Sequence, residues 1–373
     1  MSSRPTRVLW LAKGLGRGGA EKLLVTGAAH LDRERFEVEV AYLLPWKDAL
    51  VPELSSRGLR VHCLGQNRAT DVRWVARLRR LVRLGRFDLV HTHMPVPAVA
   101  ARLVLGRRPA LVHTEHNVWQ RYRRPTYWAN AATYRRNDAV IAVSQAVAQS
   151  MRAGFLPRFP ATTEVLLHGV EHSLQRSGPV ARRRARTMLG IAEDAFVIGT
   201  VGNLTAKKDQ RTLLLALSAL HDRVPRSRLV LVGAGPLEEQ LQAQVRELAL
   251  EEVVLMTGSR DDVPDLLPAF DVFCLSSLHE GLPISLIEAM ASGVPAVCTD
   301  VGGVSEALRH DIDGLLVPPA DPGALAAALG RLVDEPDLRV RYAAAALDGS
   351  RRFDIGMALR RVEDLYDEVL ARR

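Results

Sequence analysis

Short β-branched runs alternate with amphipathic stretches along the whole chain, and this alternation limits the possible folds more than any other feature. In the first half the runs fall at residues 7–12, 37–43, 60–64, 89–92, 110–114, 139–143 and 164–167. In the second half they fall at 197–201, 229–232, 253–256, 272–275, 296–298 and 315–317. Helix-like stretches such as 20–31 and 72–84 separate them. Nearly continuous apolar strands parted by helices predict an α/β protein with parallel, doubly wound sheets covered on both faces. At 373 residues the chain is too long for one ordinary core, so two domains are expected. Residues 169–179 have turn composition and an arginine-rich helix start follows at 180–189, which places the boundary near 175. Residues 1–175 then form one domain, 176–352 the second, and 353–373 a terminal helix. In that helix Met357, Leu359, Val362, Leu365, Tyr366 and Val369 recur at helical spacing. Two such domains facing a cleft would hold ligands at the C-terminal ends of their strands.

The hydrophobic content of 47% is ordinary for a globular chain, and no apolar run is long enough to span a bilayer. The apolar run at residues 8–12 is too short for a leader, so a cytoplasmic chain is expected. Cys63, Cys274 and Cys298 lack metal-ligand spacing and read as buried free thiols. The net charge of +8 hides a split. Residues 1–175 carry about 27 Lys and Arg against 13 Asp and Glu, and residues 187–373 about 18 against 29. All five tryptophans (Trp10, Trp46, Trp74, Trp119, Trp128) lie in the basic half. Arginine with tryptophan and tyrosine suits an anionic membrane surface, so peripheral attachment to the inner face of the cytoplasmic membrane is expected. No nucleic-acid motif accompanies the charge, and no nucleic-acid partner is expected.

Glu280 and Glu288 bracket the start of a helix in His279-Glu280-Gly281-Leu282-Pro283-Ile284-Ser285-Leu286-Ile287-Glu288. Read as continuous helix, the spacing separates the carboxylates by about 12 Å. The unpaired N–H groups of a helix start attract anions. An acceptor at each end and an anion hole between them suit a nucleotide-diphosphate sugar. A second loop, Gly202-Asn203-Leu204-Thr205-Ala206-Lys207-Lys208, would bring Lys208, and to a lesser degree Lys207, to the same diphosphate. The first strand runs into Gly14-Leu15-Gly16-Arg17-Gly18-Gly19, a glycine loop opening a helix. No acid follows the next strand to hold a ribose, so a nicotinamide site is not expected. His91 and His93 end one strand, and His113 and His116 the next; their spacing fits no zinc pattern, and polar contact with a sugar hydroxyl is expected of His93 and His116. Asp311-Ile312-Asp313-Gly314 reads as a turn, and Gly233-Ala234-Gly235-Pro236 as a strand-to-helix turn with Pro236 opening the helix.

Taken in order, these residues resemble the family 4 retaining glycosyltransferases, which have the GT-B fold of two Rossmann-like domains. Glu280 and Glu288 match the E-x7-E element. The loop 16–21, residues 88–93, Thr114-Glu115-His116-Asn117, Val143-Ser144, His168-Gly169-Val170, Lys208, 232–236 and 301–306 match other family stretches. The resemblance implies a metal-independent transfer from a nucleotide-diphosphate sugar to a glycan or lipid-linked acceptor, with no other cofactor. His93, Lys208 and Glu280 would be catalytic. Gly16, Gly18, Gly19, Lys207, Lys208, Arg260, Glu280, Gly281, Leu282, Pro283, Ile284, Ser285 and Glu288 would bind the donor. Arg17, His116 and Asn117 would meet the acceptor on the N-terminal domain, to which the terminal helix would cross back. The chain departs from the pattern where many relatives carry a loop arginine; here stand Asn203 and Thr205, with Lys207 as the replacement charge. A non-catalytic glycan- or lipid-binding scaffold and a nucleotide-sugar epimerase on the same fold are the rival readings.

Overall fold

The computed structural model describes residues 4–66, 71–152 and 162–373. It divides into unit 1, Met1–Gly169 with Ile355–Arg373, and unit 2, Val170–Asp354.

Unit 1 is built on β1 (Thr6–Ala12), β2 (Phe36–Tyr42), β3 (Arg60–Cys63), β4 (Leu89–His93), β5 (Ala110–Glu115), β6 (Ala139–Ala142) and β7 (Thr162–Val165). The strands are parallel in the order β3-β2-β1-β4-β5-β6-β7, so the winding reverses between β1 and β4. Side chains alternate between faces along each strand. Val8 and Trp10 therefore enter one core, and Leu9 and Leu11 another. The helix Gly19–Ala28 covers the first face through Leu24 and Val25; Trp74–Gly85 covers the second through Leu78 and Val82.

The terminal helix Ile355–Ala371 packs on the first face through Leu359, Val362, Leu365, Tyr366 and Val369. Met357, the first residue of the expected apolar stripe, is instead exposed. Trp10 Nε1 donates to the Tyr366 hydroxyl at 3.1 Å, so a tryptophan counted toward the surface belongs to the core.

Unit 2 repeats the plan with β8 (Phe196–Val201), β9 (Ser227–Val232), β10 (Val254–Gly258), β11 (Val272–Leu275), β12 (Ala296–Thr299) and β13 (Gly314–Val317). Its order is β10-β9-β8-β11-β12-β13, all parallel, with the reversal between β8 and β11. The arginine-rich helix Gly178–Leu189 docks on this unit. Arg186 is fully buried, with Nη2 2.8 Å from Asp271, and Arg182 reaches the same carboxylate at 2.7 Å. Asp271 also accepts the Val197 N–H at 2.8 Å. Two arginines of this helix are thus pinned to the sheet.

The division between the units falls at Gly169/Val170, ahead of the expected 175, because Val170 N donates to Phe353 O at 2.9 Å and bridges to Asp354. Cys274 and Cys298 are buried in β11 and β12, where burial pushes both thiols up. Cys63 departs from the expectation: it ends edge strand β3 and is exposed. Pro236 opens no helix, since the next one is Glu238–Glu247.

Candidate functional site

In unit 2 the loops after β8 and β11 leave the sheet at its winding reversal, where ligands bind in open α/β sheets. They are tied together by the backbone. Leu278 N donates to Lys207 O at 2.8 Å, and Ser276 Oγ to Lys208 O at 3.0 Å. Lys208 Nζ then lies 2.6 Å from Glu280 Oε1, which also accepts the Ser277 hydroxyl at 2.6 Å. Ser277 is itself held by Thr299 of β12, whose hydroxyl donates to its carbonyl at 2.5 Å. Gly302 has φ +57°, and a side chain there would overlap the Glu280 carbonyl. That close approach requires glycine.

Burial works to raise the Glu280 carboxyl, but the charges of Lys208 and Lys207 and the hydrogen bonds from Lys208 and Ser277 outweigh it. The carboxyl is held below its ordinary range. Lys207 thus acts electrostatically on the site. The neighbouring Asn203 offers its carbonyl to Gln210 Nε2 at 3.2 Å.

Glu280 sits in the turn before the helix Ile284–Ala291, so helical rise does not measure its separation from Glu288. Pro283 is the N-cap residue, and Gly281 and Leu282 lead into it. Ile284 and Ser285 open the helix and Glu288 is buried one turn on. Arg260 turns its guanidinium onto Asp262 through two bonds of 2.7 and 2.6 Å, a fork–fork contact that fixes its orientation.

In unit 1 the glycine loop follows β1. Gly18 N donates to Gly16 O at 2.9 Å, and Gly18 caps the helix Gly19–Ala28. A side chain at Gly18 would strike the Glu21 carboxylate, so this helix start already faces an acid; Arg17 is exposed beside it. His91 and His93 share a face of β4, with ring centroids 4.3 Å apart. His91 is committed to the Tyr366 hydroxyl at 2.5 Å and Thr114 Oγ1 at 2.7 Å, so the terminal helix braces the ring against which His93 rests. His93 Nδ1 meets His116 Nε2 at 3.1 Å, and His116 stacks on His168. Burial and the neighbouring imidazoles hold His91, His93 and His116 well below the usual histidine range. Burial lowers His168 to about 4. Asn117 is half-buried, with Nδ2 3.9 Å from Met94 Sδ.

The structure therefore joins Lys208 to Glu280 and His93 to His116. Sequence reading passed over Ser277, Tyr366 and the contact role of His168. Ser277 lies three residues before Glu280, and a polar residue at a strand end was the available signal. The partnership of Tyr366 with β4 had no local signal. Among the described residues no group of three or more His, Cys, Asp and Glu is arranged to hold a metal ion, and no helix is long and apolar enough to cross a membrane.

Residues 181–348 match the Glycosyl transferases group 1 family, and residues 17–174 match Glycosyltransferase Family 4. The D-inositol 3-phosphate glycosyltransferase of Streptomyces griseus subsp. griseus is 31% identical over 78% of this chain and 68% of that protein. An Escherichia coli enzyme, UDP-Gal:alpha-D-GlcNAc-diphosphoundecaprenol alpha-1,3-galactosyltransferase, is 25% identical over 81% of both chains. Anabaena HepE, crystallised with UDP and glucose, superposes with a TM-score of 0.85 at 25% identity, covering 97% of this chain and 100% of its own. HepE has also been solved with UDP-glucose. Two doubly wound parallel sheets, the charged turn beside a helix start and these matches together show that this chain belongs to the GT-B glycosyltransferases related to the group 1 and family 4 types.

Proposed function

We propose that this glycosyltransferase is of the retaining, family 4 kind, moving a sugar from a nucleotide-diphosphate sugar to a glycan or lipid-linked acceptor in cell-surface polysaccharide or glycolipid synthesis. The observation that carries this reading is the pair of half-buried Lys208 and buried Glu280 beside the start of the helix Ile284–Ala291. Lys208 and Lys207 supply positive charge for a diphosphate, and the N–H groups from Gly281 to Ser285 supply donors. Glu280 takes donor-sugar hydroxyls and Glu288 the ribose, while Arg260, oriented by Asp262, lines the base. HepE, with its UDP-glucose complex, supports a uridine diphosphate donor. The galactosyltransferase, named for a diphosphoundecaprenol substrate, supports a lipid-linked acceptor.

In this mechanism the bond from C1 to the diphosphate oxygen breaks and the acceptor oxygen bonds to C1 on the same face. The acceptor's proton passes to the departing phosphate oxygen. The charge growing on that phosphate is what Lys208 and the helix start stabilise. No step calls on a metal. On unit 1, Arg17, His116 and Asn117 face the acceptor, and His93 meets a sugar hydroxyl.

The basic unit makes the anionic membrane surface a further partner, peripheral on the inner leaflet. The helix Trp74–Gly85 exposes Arg79, Arg80, Arg83 and Leu84, which supports docking there. Trp46 and Trp128 are exposed and can join it; Trp10 and Trp119 are core residues and cannot.

The test is a thermal-shift panel of nucleoside diphosphates and their sugars, followed by transfer assays. A shift with one nucleotide that disappears in Glu288→Ala is the expected result. A folded protein that responds to none of them defeats the reading.

A further inference from the structure

On the second face of the unit 1 sheet, a pocket of about 450 Å³ opens between strands β1 to β3 and the helix Trp74–Gly85. It lies toward the N-terminal ends of the strands, away from the histidines. Arg7 is the second residue of β1, Arg60 the first of β3 and Gly85 the last of the helix. The volume suits a small organic ligand, for which about 300–1,000 Å³ is usual. Arg7, Arg60, Arg77 and Arg80 line the pocket, with Glu39 and His62 among them.

The one carboxylate of the lining is already engaged. Glu39 is 5% exposed; its Oε1 accepts from Arg7 Nη2 at 2.7 Å, and its Oε2 lies 2.5 Å from His62 Nε2. Arg7 Nε also lies 3.4 Å from Glu37, and Arg77 is held by Asp71 and by the Leu64 carbonyl, each at 2.6 Å. Arg60 and Arg80 have no carboxylate of their own. Arg60 Nη1 stands 3.7 Å from the same Glu39 oxygen that Arg7 occupies, too far for a hydrogen bond, and its side chain is 72% exposed. Arg80 is exposed, and among the described residues no hydrogen bond or ion pair engages its guanidinium. Like charges around a cavity focus an attractive field on an anion. Each guanidinium presents a planar fork of N–H groups that matches phosphate oxygens, and two forks can share one dianion. Leu81 and Leu84 complete the lining and offer an apolar wall to the carbon skeleton of an ester.

We propose that this pocket binds a phosphate monoester through Arg60 and Arg80, with Glu39 as the floor that holds Arg7 and His62 in place. The site is separate from the Lys208 turn and does not rest on the glycosyl-transfer reading. It also asks more of its ligand than membrane docking of the same helix, which needs charge alone. A soluble ester and a lipid headgroup share the required chemistry.

The test uses the full chain and two charge-matched pairs: Arg60→Gln with Arg80→Gln inside the pocket, and Arg79→Gln with Arg83→Gln on the helix outside it. Glycerol 3-phosphate is titrated by calorimetry at fixed ionic strength. Phosphatidylcholine vesicles carrying phosphatidic acid are compared with vesicles carrying phosphatidylserine at equal surface charge. The expected result is binding of a phosphate monoester that weakens about tenfold or more in the pocket pair and stays within about threefold in the outer pair. Binding of glycerol 3-phosphate assigns a soluble ester, and preference for phosphatidic acid without it assigns a lipid headgroup. Both together assign the phosphate group whatever carries it. Equal weakening in the two pairs reduces the effect to general surface charge and overturns the pocket. Unchanged affinity in both pairs places the phosphate elsewhere, and binding of neither probe removes the ligand; either result overturns the proposal. Arg80→Gln alone, at an exposed side chain, keeps the question decidable should the double variant not fold. A loss of about threefold or more is expected from it, and no loss overturns the proposal.

Discussion

Units 1 and 2 wind parallel sheets by the same plan, with reversals at β1/β4 and β8/β11, yet the groups set at their C-terminal edges differ in charge. Unit 2 concentrates ions there: Lys208 on Glu280, with Lys207 acting on the same carboxylate. Unit 1, although it holds the basic half of the chain, gathers neutral imidazoles at its edge, buries Arg102 and leaves most of its described arginines on the surface. One backbone scaffold thus sets charged groups at one edge and neutral imidazoles at the other, and the difference lies in a handful of side chains.

The largest expected effect breaks unit 2 alone. Arg186→Ala leaves Asp271 buried with Arg182 as its remaining cation and should cost about 3–5 kcal/mol. Hydrogen exchange should loosen in β8 and β11 and stay unchanged in β1 and β4; equal loosening in both units would erase the comparison.

Next comes Lys208→Ala, which removes the cation proposed to stabilise the leaving diphosphate and strands a buried carboxylate. Turnover should fall by about a hundredfold to a thousandfold, roughly 3–4 kcal/mol. An unchanged rate in a transfer assay removes Lys208 from the mechanism.

Acid should separate the units by a smaller amount. His168 titrates near 4 in the folded state against an ordinary 6.5. A depressed value means that its contribution is complete above about pH 6.5 and is lost as pH falls toward 4. At pH 5 the cost is about 2 kcal/mol for that ring alone. Glu280 is also depressed, but from the lower carboxylate range, so its contribution is lost only below about pH 4.5. Denaturation at pH 7 and pH 5, followed by exchange in each unit, should show unit 1 weakening first. The reverse order would contradict the assignment of neutral and charged edges.

The smallest effect concerns the outer surface. Arg79→Glu with Arg83→Glu should weaken binding to anionic vesicles by about 1 kcal/mol per arginine replaced, with little change on neutral vesicles. Salt-independent binding to both would remove the electrostatic partner.

The alternation of apolar runs fixed the strand inventory and its parallel pairing, because buried parallel strands need apolar side chains on both faces and helices to cover them. Local pattern also marked the turn at Glu280, the lysines before the helix Gln210–His221 and the histidines ending β4. These features are properties of short stretches, where spacing and turn chemistry act directly. Tertiary structure alone decided which groups became partners. Lys208 and Glu280 meet because β8 and β11 are neighbours across a reversal of winding, although 72 residues separate them in sequence. His91 meets Tyr366 across 275 residues because the terminal helix packs on unit 1. Burial then set the charge states, lowering His168 and pinning Arg186, since the cost of desolvation depends on what surrounds a side chain.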